Sequence, residues 1–425
     1  MTSASSAVSV GYWRLLKQND RFRRLWAAQL ISAAGDWFNS VAVLGLVLQL
    51  TQSGLNASLV LISSTLPTFF LTPIAGPLVD RLDRRTVMIW TNLFSAGVAL
   101  LFLLVHDTNM IWLLYVASVM LVISAAFFAP ASSASIPNIV SQSELFSANA
   151  LSGATWGVMV MVGSALGGIV STLFGRNIAF IVNALSFLIA AGLIASIEIP
   201  SPKREKRIAP WQDFVEGVRY LRNFMPSLSL VAVKFGWGFG AGSLVLLSVF
   251  GQQVFKAGDA GIGILYSGRG LGALIGPFVI RSFVGENVDR LRRAMWLSFL
   301  LAGLGYLLLA LSGWWNAIWL GFVALVIAHF GGGTVWAISS VLLQLTTPDY
   351  LRGRVLSVDY GLNTLTNGIS TLLYGLALQG NTSPLLLAVV GAVTFSAYGI
   401  FWGVISSRGP LQISEATVTR PTLKP

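Results

Sequence analysis

The chain has 425 residues, 55% hydrophobic and only 10% charged, against about 25% charged in soluble domains, so lipid is the expected solvent for most of it. It has no cysteine and two histidines, His106 and His329, which excludes disulfides, thiolate metal sites, cysteine nucleophiles and a histidine-built metal cluster. A net charge of +11 raises nucleic acid as a partner, and the placement of the basic residues along the chain decides against it.

Residues 1–24 are polar and then basic, with Arg14, Lys17, Arg21, Arg23 and Arg24 ahead of the first long apolar run, so they read as a cytoplasmic N-terminal segment rather than a signal peptide. Apolar runs long enough to cross a bilayer follow at 25–50, 57–78, 86–105, 111–132, 150–174, 177–198, 227–250, 261–280, 293–312, 316–340, 356–378 and 384–405. With a cytoplasmic N-terminus, 23 of the 27 Lys and Arg fall on the inner side, two outside (Arg176, Lys256) and two within spans (Lys234, Arg269). The positive charge is thus the bias of cytoplasmic loops. The expected fold is an all-α membrane protein with 12 transmembrane helices in two six-helix bundles, 25–198 and 227–405, and both termini cytoplasmic. Between the bundles lies a cytoplasmic linker, 199–226, and after them a polar tail, 406–425. The linker begins with the charged stretch Pro200 to Arg207. It continues with Trp211 to Arg222, where Phe214, Val218 and Leu221 interleave with Glu216, Arg219 and Arg222 as in an amphipathic helix on the leaflet surface, or a tether between rocking halves.

After the second span comes Gly76, Pro77, Leu78, Val79, Asp80, Arg81, Leu82, Asp83, Arg84, Arg85. Gly76 permits close helix approach, Asp80 can reach a helix N-terminus of the other half, and the arginines can hold carboxylates in a cytoplasmic charge network. The fifth span holds Gly163, Ser164, Ala165, Leu166, Gly167, Gly168, and the loop after the tenth holds Pro348, Asp349, Arg352, Gly353, Arg354, Val355. Six plus six spans with these segments resembles the major facilitator superfamily, and the last segment is similar to that of the drug/proton antiporter branch with the enterobactin exporter and macrolide-efflux proteins. Gly35 with Asp36, Phe128 with Pro130, Ala148 with Asn149, and Asn183 with Phe187 extend the resemblance over nearly the whole chain. It implies the major facilitator fold and proton-coupled efflux of a small amphipathic molecule, with a proton gradient in place of any cofactor. Two departures stand out: Ser164 occupies the place of the antiporter signature's proline, and the second copy of the loop has decayed to Arg281, Glu286, Asp289, Arg290, Arg292 and Arg293. A symmetric two-loop gate is therefore not expected.

An ionisable residue inside a span is costly, on the order of 3 kcal/mol by insertion scales, and is a functional candidate by default. Asp36 lies near the midplane of the first span as the lone deep carboxylate, with Glu198 and Asp359 read as lying at cytoplasmic helix ends. It reads as a proton or cation carrier, a structural partner of Lys234 or Arg269, or a cap beside Gly35. Lys234 and Arg269 read as an anion site between spans seven and eight, or, for Lys234, as a snorkelling side chain. Trp37, Phe38, Asn39, Trp156, Asn183, Trp237, Trp336, Asn363 and Asn367 are candidates for a cavity lining or for helix contacts, and Trp112, Trp314 and Trp315 for the interfacial belt. His329 is either a titrating or a packed residue. Gly268, Gly270 and Gly272 occur within a span, not a nucleotide loop. The expected partners are a small-molecule substrate and membrane lipids, with no nucleic acid and a monomeric state, in the inner (plasma) membrane. The alternatives are a lipid or lysolipid flippase of the same fold, an integral-membrane enzyme, disfavoured by the scarcity of carboxylates and histidines, and a receptor, which leaves the in-span charges unexplained.

Overall fold

The computed structural model describes residues 11–79, 81–200, 210–285, 287–408 and 413. A short helix α1 (Tyr12–Gln18) turns into α2 (Asp20–Thr51), where Asn19 accepts from the Phe22 N–H at 3.0 Å and also donates to Ile139 O at 2.8 Å. The first half continues through α3 (Gly54–Ser63), α4 (Leu66–Val79), α5 (Arg84–Leu101), α6 (Ile111–Ile139), α7 (Leu145–Phe174) and α8 (Arg176–Ala195). After α9 (Pro210–Asn223) the second half comprises α10 (Met225–Ala241), α11 (Leu244–Val249), α12 (Gly258–Val284), α13 (Val288–Trp314), α14 (Ile318–Thr346), α15 (Asp349–Gln379) and α16 (Pro384–Arg408). The second span is broken between α3 and α4. The seventh is broken after α10 and ends in a π turn over Phe250–Val254.

Among the described residues, eleven helices are long and apolar enough to cross a membrane: α2, α3 with α4, α5 to α8, α10 running on to Val254, α12 to α14, and α16. The expected twelfth span, 356–378, lies in α15, which has the length, 31 residues, but is too polar to be counted with the others. Side-chain direction explains the polarity. Asp359, Asn363, Thr364, Thr366, Ser370 and Thr371 are buried against neighbouring helices, whereas Ile369, Leu372, Leu373 and Leu376 face outward. A hydropathy average cannot see which face each residue takes.

Within the first half α2 packs on α7 and α8, and α5 on α6 and α8; within the second α12 and α13 pack on α14, α13 on α16, and α10 on α15. Two seams join the halves, α7 on α12, and α3 with α4 on α15. Apolar side chains gain nothing by leaving lipid for protein, so close approach of small residues supplies the contact energy. A Cβ on Gly168 would meet Asp259 O at 2.8 Å and the Gly263 Cα at 3.1 Å, so this seam accepts only glycine there. Large apolar residues such as Trp90, Leu173, Phe278 and Phe283 point outward, as a lipid-facing surface requires.

Helix α9 matches the amphipathic helix expected at Trp211 to Arg222, but it docks on protein. Tyr220 and Leu221 are buried, the Tyr220 hydroxyl donates to Thr346 O at 2.9 Å, and a Cβ on Gly217 would meet Arg354 O at 2.8 Å. The linker residues 201–209 before it lie outside the described residues, as do most of the tail and residues 1–10.

Candidate functional site

The loop motif after the second span ties its own half together. Asp83 caps α5 by accepting from the Thr86 N–H at 2.8 Å, Arg84 is buried and donates to Ala134 O at 2.6 Å, and Arg85 donates to Ala195 O at the end of α8. Arg81 is exposed and nothing crowds Gly76 within 4 Å, while Asp80 lies outside the described residues. These two arginine bonds go to carbonyls of the first half. The 348–354 loop is a clasp in the same way. Pro348 precedes α15, Gly353 is uncrowded, Arg352 Nε donates to Gln344 O at 2.8 Å, and Arg354 pairs with Glu216 of α9.

At the opposite end of the bundle the halves are latched. Arg176, at the start of α8, holds Asp259 of α12 with both Nε (2.7 Å) and Nη2 (2.8 Å), and bonds Gln49 of α2. Gln253 donates to Gln52 O at 3.2 Å. An open depression of about 560 Å³ borders this latch, lined by Gln49, His106, Arg176 and Asp259 among others. The antiporter-like segment lies just below it. α7 runs unbroken through Ser164, which is fully buried, bonds Val160 O, and lies 3.3 Å from the Ser267 hydroxyl of α12. A Cβ on Gly163 would meet Trp37 Cβ at 2.9 Å and one on Gly167 the Phe38 Cα at 2.8 Å. The segment therefore packs α7 on α2 as well as on α12. Breaking the latch with Arg176→Gln is expected to raise labelling of Ser164→Cys by a maleimide, in the detergent-solubilised protein, about tenfold, a coupling of ordinary size. The chain has no native cysteine to confuse the readout. Unchanged labelling would mean that the ion pair does not hold the halves closed.

Mid-membrane, Asp36 lies sixteen residues into α2 and is exposed, with no hydrogen bond or ion pair to its carboxylate among the described residues. It pairs with neither Lys234 nor Arg269. Its neighbour Trp37 stacks obliquely on Tyr266 of α12 at 5.8 Å between ring centres. Arg269, one turn along from Tyr266, lies over the Trp156 ring (5.6 Å) and the Tyr266 ring (5.8 Å), and its Nε has no hydrogen-bond partner. Trp156 is 53% exposed. Aromatic residues of α7 and α12 thus flank a guanidinium with no ion partner among the described residues, and Trp37 of α2 stacks on one of them.

Lys234 does not join Arg269 in an anion site. It is 3% exposed and forms an ion pair with Asp359 of α15, donates to Ser340 Oγ at 2.9 Å, and lies 4.7 Å from the centre of the Trp336 ring. The reading of Asp359 as a cytoplasmic helix end was wrong because α15 starts at Asp349, not near 356, so Asp359 is ten residues, ~15 Å, along it. A cation stranded in span seven was the available signal, since it demands an acid from another span. Asn363 supports the pair by donating to Lys234 O at 2.8 Å, and Asn367 accepts from Thr371 at 3.2 Å on its own helix. Trp336 remains partly open and edges onto Tyr360.

Other candidates are packing residues. Asn183 is fully buried in the seam where a Cβ on Gly35 would meet it at 2.6 Å. Asn39 is buried with its Oδ1 unpartnered. Trp237 packs on Phe395 (4.8 Å) and Phe299 (5.6 Å), and His329 is buried between Trp237 and Tyr306.

Comparison with known proteins fits this architecture. The family model described as transmembrane secretion effector matches residues 12–421. The chain is 26% identical over 370 residues to the multidrug efflux pump Tap of Mycolicibacterium fortuitum, covering 82% of this chain and 87% of that protein. It is 29% identical over 221 residues to the uncharacterized MFS-type transporter YfiS of Bacillus subtilis, and there the match spans about half of each, 50% of this chain and 52% of the relative. A 25% identity over 190 residues links it to macrolide efflux protein A of Streptococcus pyogenes, covering 44% and 46%. Among solved structures, an auto-inhibited POT family peptide transporter superposes with a TM-score of 0.71 at 13% identity, covering 91% of this chain and 97% of that one. A bacterial homologue of the human lysosomal transporter Spinster does so with 0.65 at 16%, covering 95% and 97%. The all-helical bundle and the family match over nearly the whole chain make it a member of the transmembrane secretion effector family of the major facilitator superfamily, a multi-pass membrane transporter and not an enzyme.

Proposed function

We propose that the protein is a proton-coupled exporter of small amphipathic molecules, working by alternating access in the inner membrane with both termini in the cytoplasm. The observation that carries the coupling is Asp36, a carboxylate midway along α2 that answers to no cation or donor among the described residues. A carboxyl group so placed can take a proton from one side and release it to the other. The direction rests on the efflux relatives. With the termini cytoplasmic, the Arg176 and Asp259 latch lies on the outer side, as in a protein closed toward the outside. Residues 199–226 are the cytoplasmic connection across which the 25–198 and 227–405 bundles move, and one chain is the working unit.

Everted membrane vesicles test the proposal. With the interior acidified, vesicles holding the protein should accumulate labelled erythromycin or ethidium above the level of empty vesicles, and nigericin should collapse the gain. Accumulation that ignores the imposed gradient would refute proton coupling, and transport in the opposite sense would refute export.

A further inference from the structure

We propose that Arg269 is the receptor for an acidic group of the transported molecule, so that the substrate is an oxyacid, a carboxylate, sulfonate or phosphate, carried on an apolar or aromatic body. The inference deepens the export reading and rests on it for the word transported. A guanidinium has five donors in a fixed fork that matches an oxyacid. Leaving such a group in a span without an acceptor is costly. Arg269 nonetheless makes no hydrogen bond or ion pair among the described residues, and its Nε is buried without a partner.

Its neighbours are donors or aromatic faces. Tyr266 on α12 and Tyr306 on α13 lie within reach of its charge, as does His329 on α14. The two phenol hydroxyls stand beside Ser248 and Ser243 without an aligned hydrogen bond, and His329 Nε2 is likewise unpartnered. Trp156 on α7 covers the guanidinium at 5.6 Å. None of these side chains is a carboxylate, so the group attracts an anion and repels a cation. The other in-span cation does not compete, because Lys234 is neutralised by Asp359. Trp37, stacked on Tyr266, and the exposed Trp156 offer flat apolar surface for the body of the molecule beside the charge.

The experiment is calorimetric binding to the full-length protein in phosphatidylcholine nanodiscs, with 1-naphthylacetate and its neutral twin 1-naphthylacetamide as probes. Wild-type protein should prefer the acid by on the order of tenfold to a hundredfold, the range for a hydrogen bond to a charged group. Arg269→Gln should bring the two affinities together by weakening the acid alone, and Arg269→Lys should restore part of the preference. Tyr306→Phe, which removes one hydroxyl, should weaken the acid roughly threefold and leave the amide unchanged. A wild-type protein without preference, including one that binds neither probe, overturns the proposal. So does a preference that survives Arg269→Gln. Discs containing phosphatidylglycerol separate two sources of the same chemistry: a lipid phosphate as occupant weakens naphthylacetate, whereas a soluble acid as occupant leaves it unchanged, and either supports the acid receptor. No proton gradient enters this assay. Acid preference without gradient-driven transport would therefore refute the export reading while leaving the binding site standing.

Discussion

Asp36→Asn is expected to abolish uphill, gradient-driven transport while leaving the protein folded and able to equilibrate substrate down its own gradient. Asparagine keeps the shape of the carboxyl group and removes the exchangeable proton, so the cycle loses its link to the gradient and accumulation falls to the level of empty vesicles. The fold should not suffer, because no donor or cation among the described residues depends on the carboxylate. A charge at mid-span costs on the order of 3 kcal/mol, so the melting temperature in detergent should be unchanged or higher. A carboxylate with a structural role behaves in the opposite way, since its removal strands its partners. Retained accumulation with intact pH dependence would remove Asp36 from the coupling step. A fall in melting temperature of several degrees would assign it to the fold.

The largest effect on stability is expected at Lys234 and Asp359. Their side chains are 4% and 3% exposed, and the attraction within the pair offsets the cost of taking both charges out of water. Lys234→Met strands the carboxylate, and Asp359→Asn strands the ammonium, each costing about 3 to 5 kcal/mol because the remaining charge has no solvent. The double variant, neutral at both positions, should return to within about 1 kcal/mol of wild type or exceed it, since buried pairs are often replaceable by uncharged groups of similar size. Denaturant unfolding in detergent, with expression yield as a second measure, reads the cycle. Additive losses in the double variant would show that the two residues do not share an interaction. Full thermal recovery with lost transport would show that the pair serves the transport cycle rather than the fold.

Hydropathy located the apolar helices to within about seven residues at each end, because burial in lipid is a property summed along the chain. The same averaging failed at α15, whose polar residues face inward, and it misplaced Asp359 by starting that helix a full seven residues late. The loop motifs were legible as motifs. Their partners were not: Arg84 and Arg85 bond the Ala134 and Ala195 carbonyls, which no pattern along the chain names. Nothing along the chain paired Arg176 with Asp259, since both lie just outside the apolar runs 177–198 and 261–280 and 83 residues apart.

What the sequence by itself determined was the class of molecule and the inventory: a helical membrane transporter with very few ionisable groups inside its spans, among them Asp36, Lys234 and Arg269. What only the tertiary structure decided was which of those charges are compensated. Lys234 meets Asp359 across 125 residues and Arg176 meets Asp259 across 83, while Asp36 and Arg269 meet neither each other nor a partner ion among the described residues. The physical reason is that a helix presents its residues in every direction. Pairing is therefore set by how distant helices are rotated against one another, and that rotation is fixed by small-residue contacts such as Gly168 on Gly263, which leave no trace in charge or hydropathy.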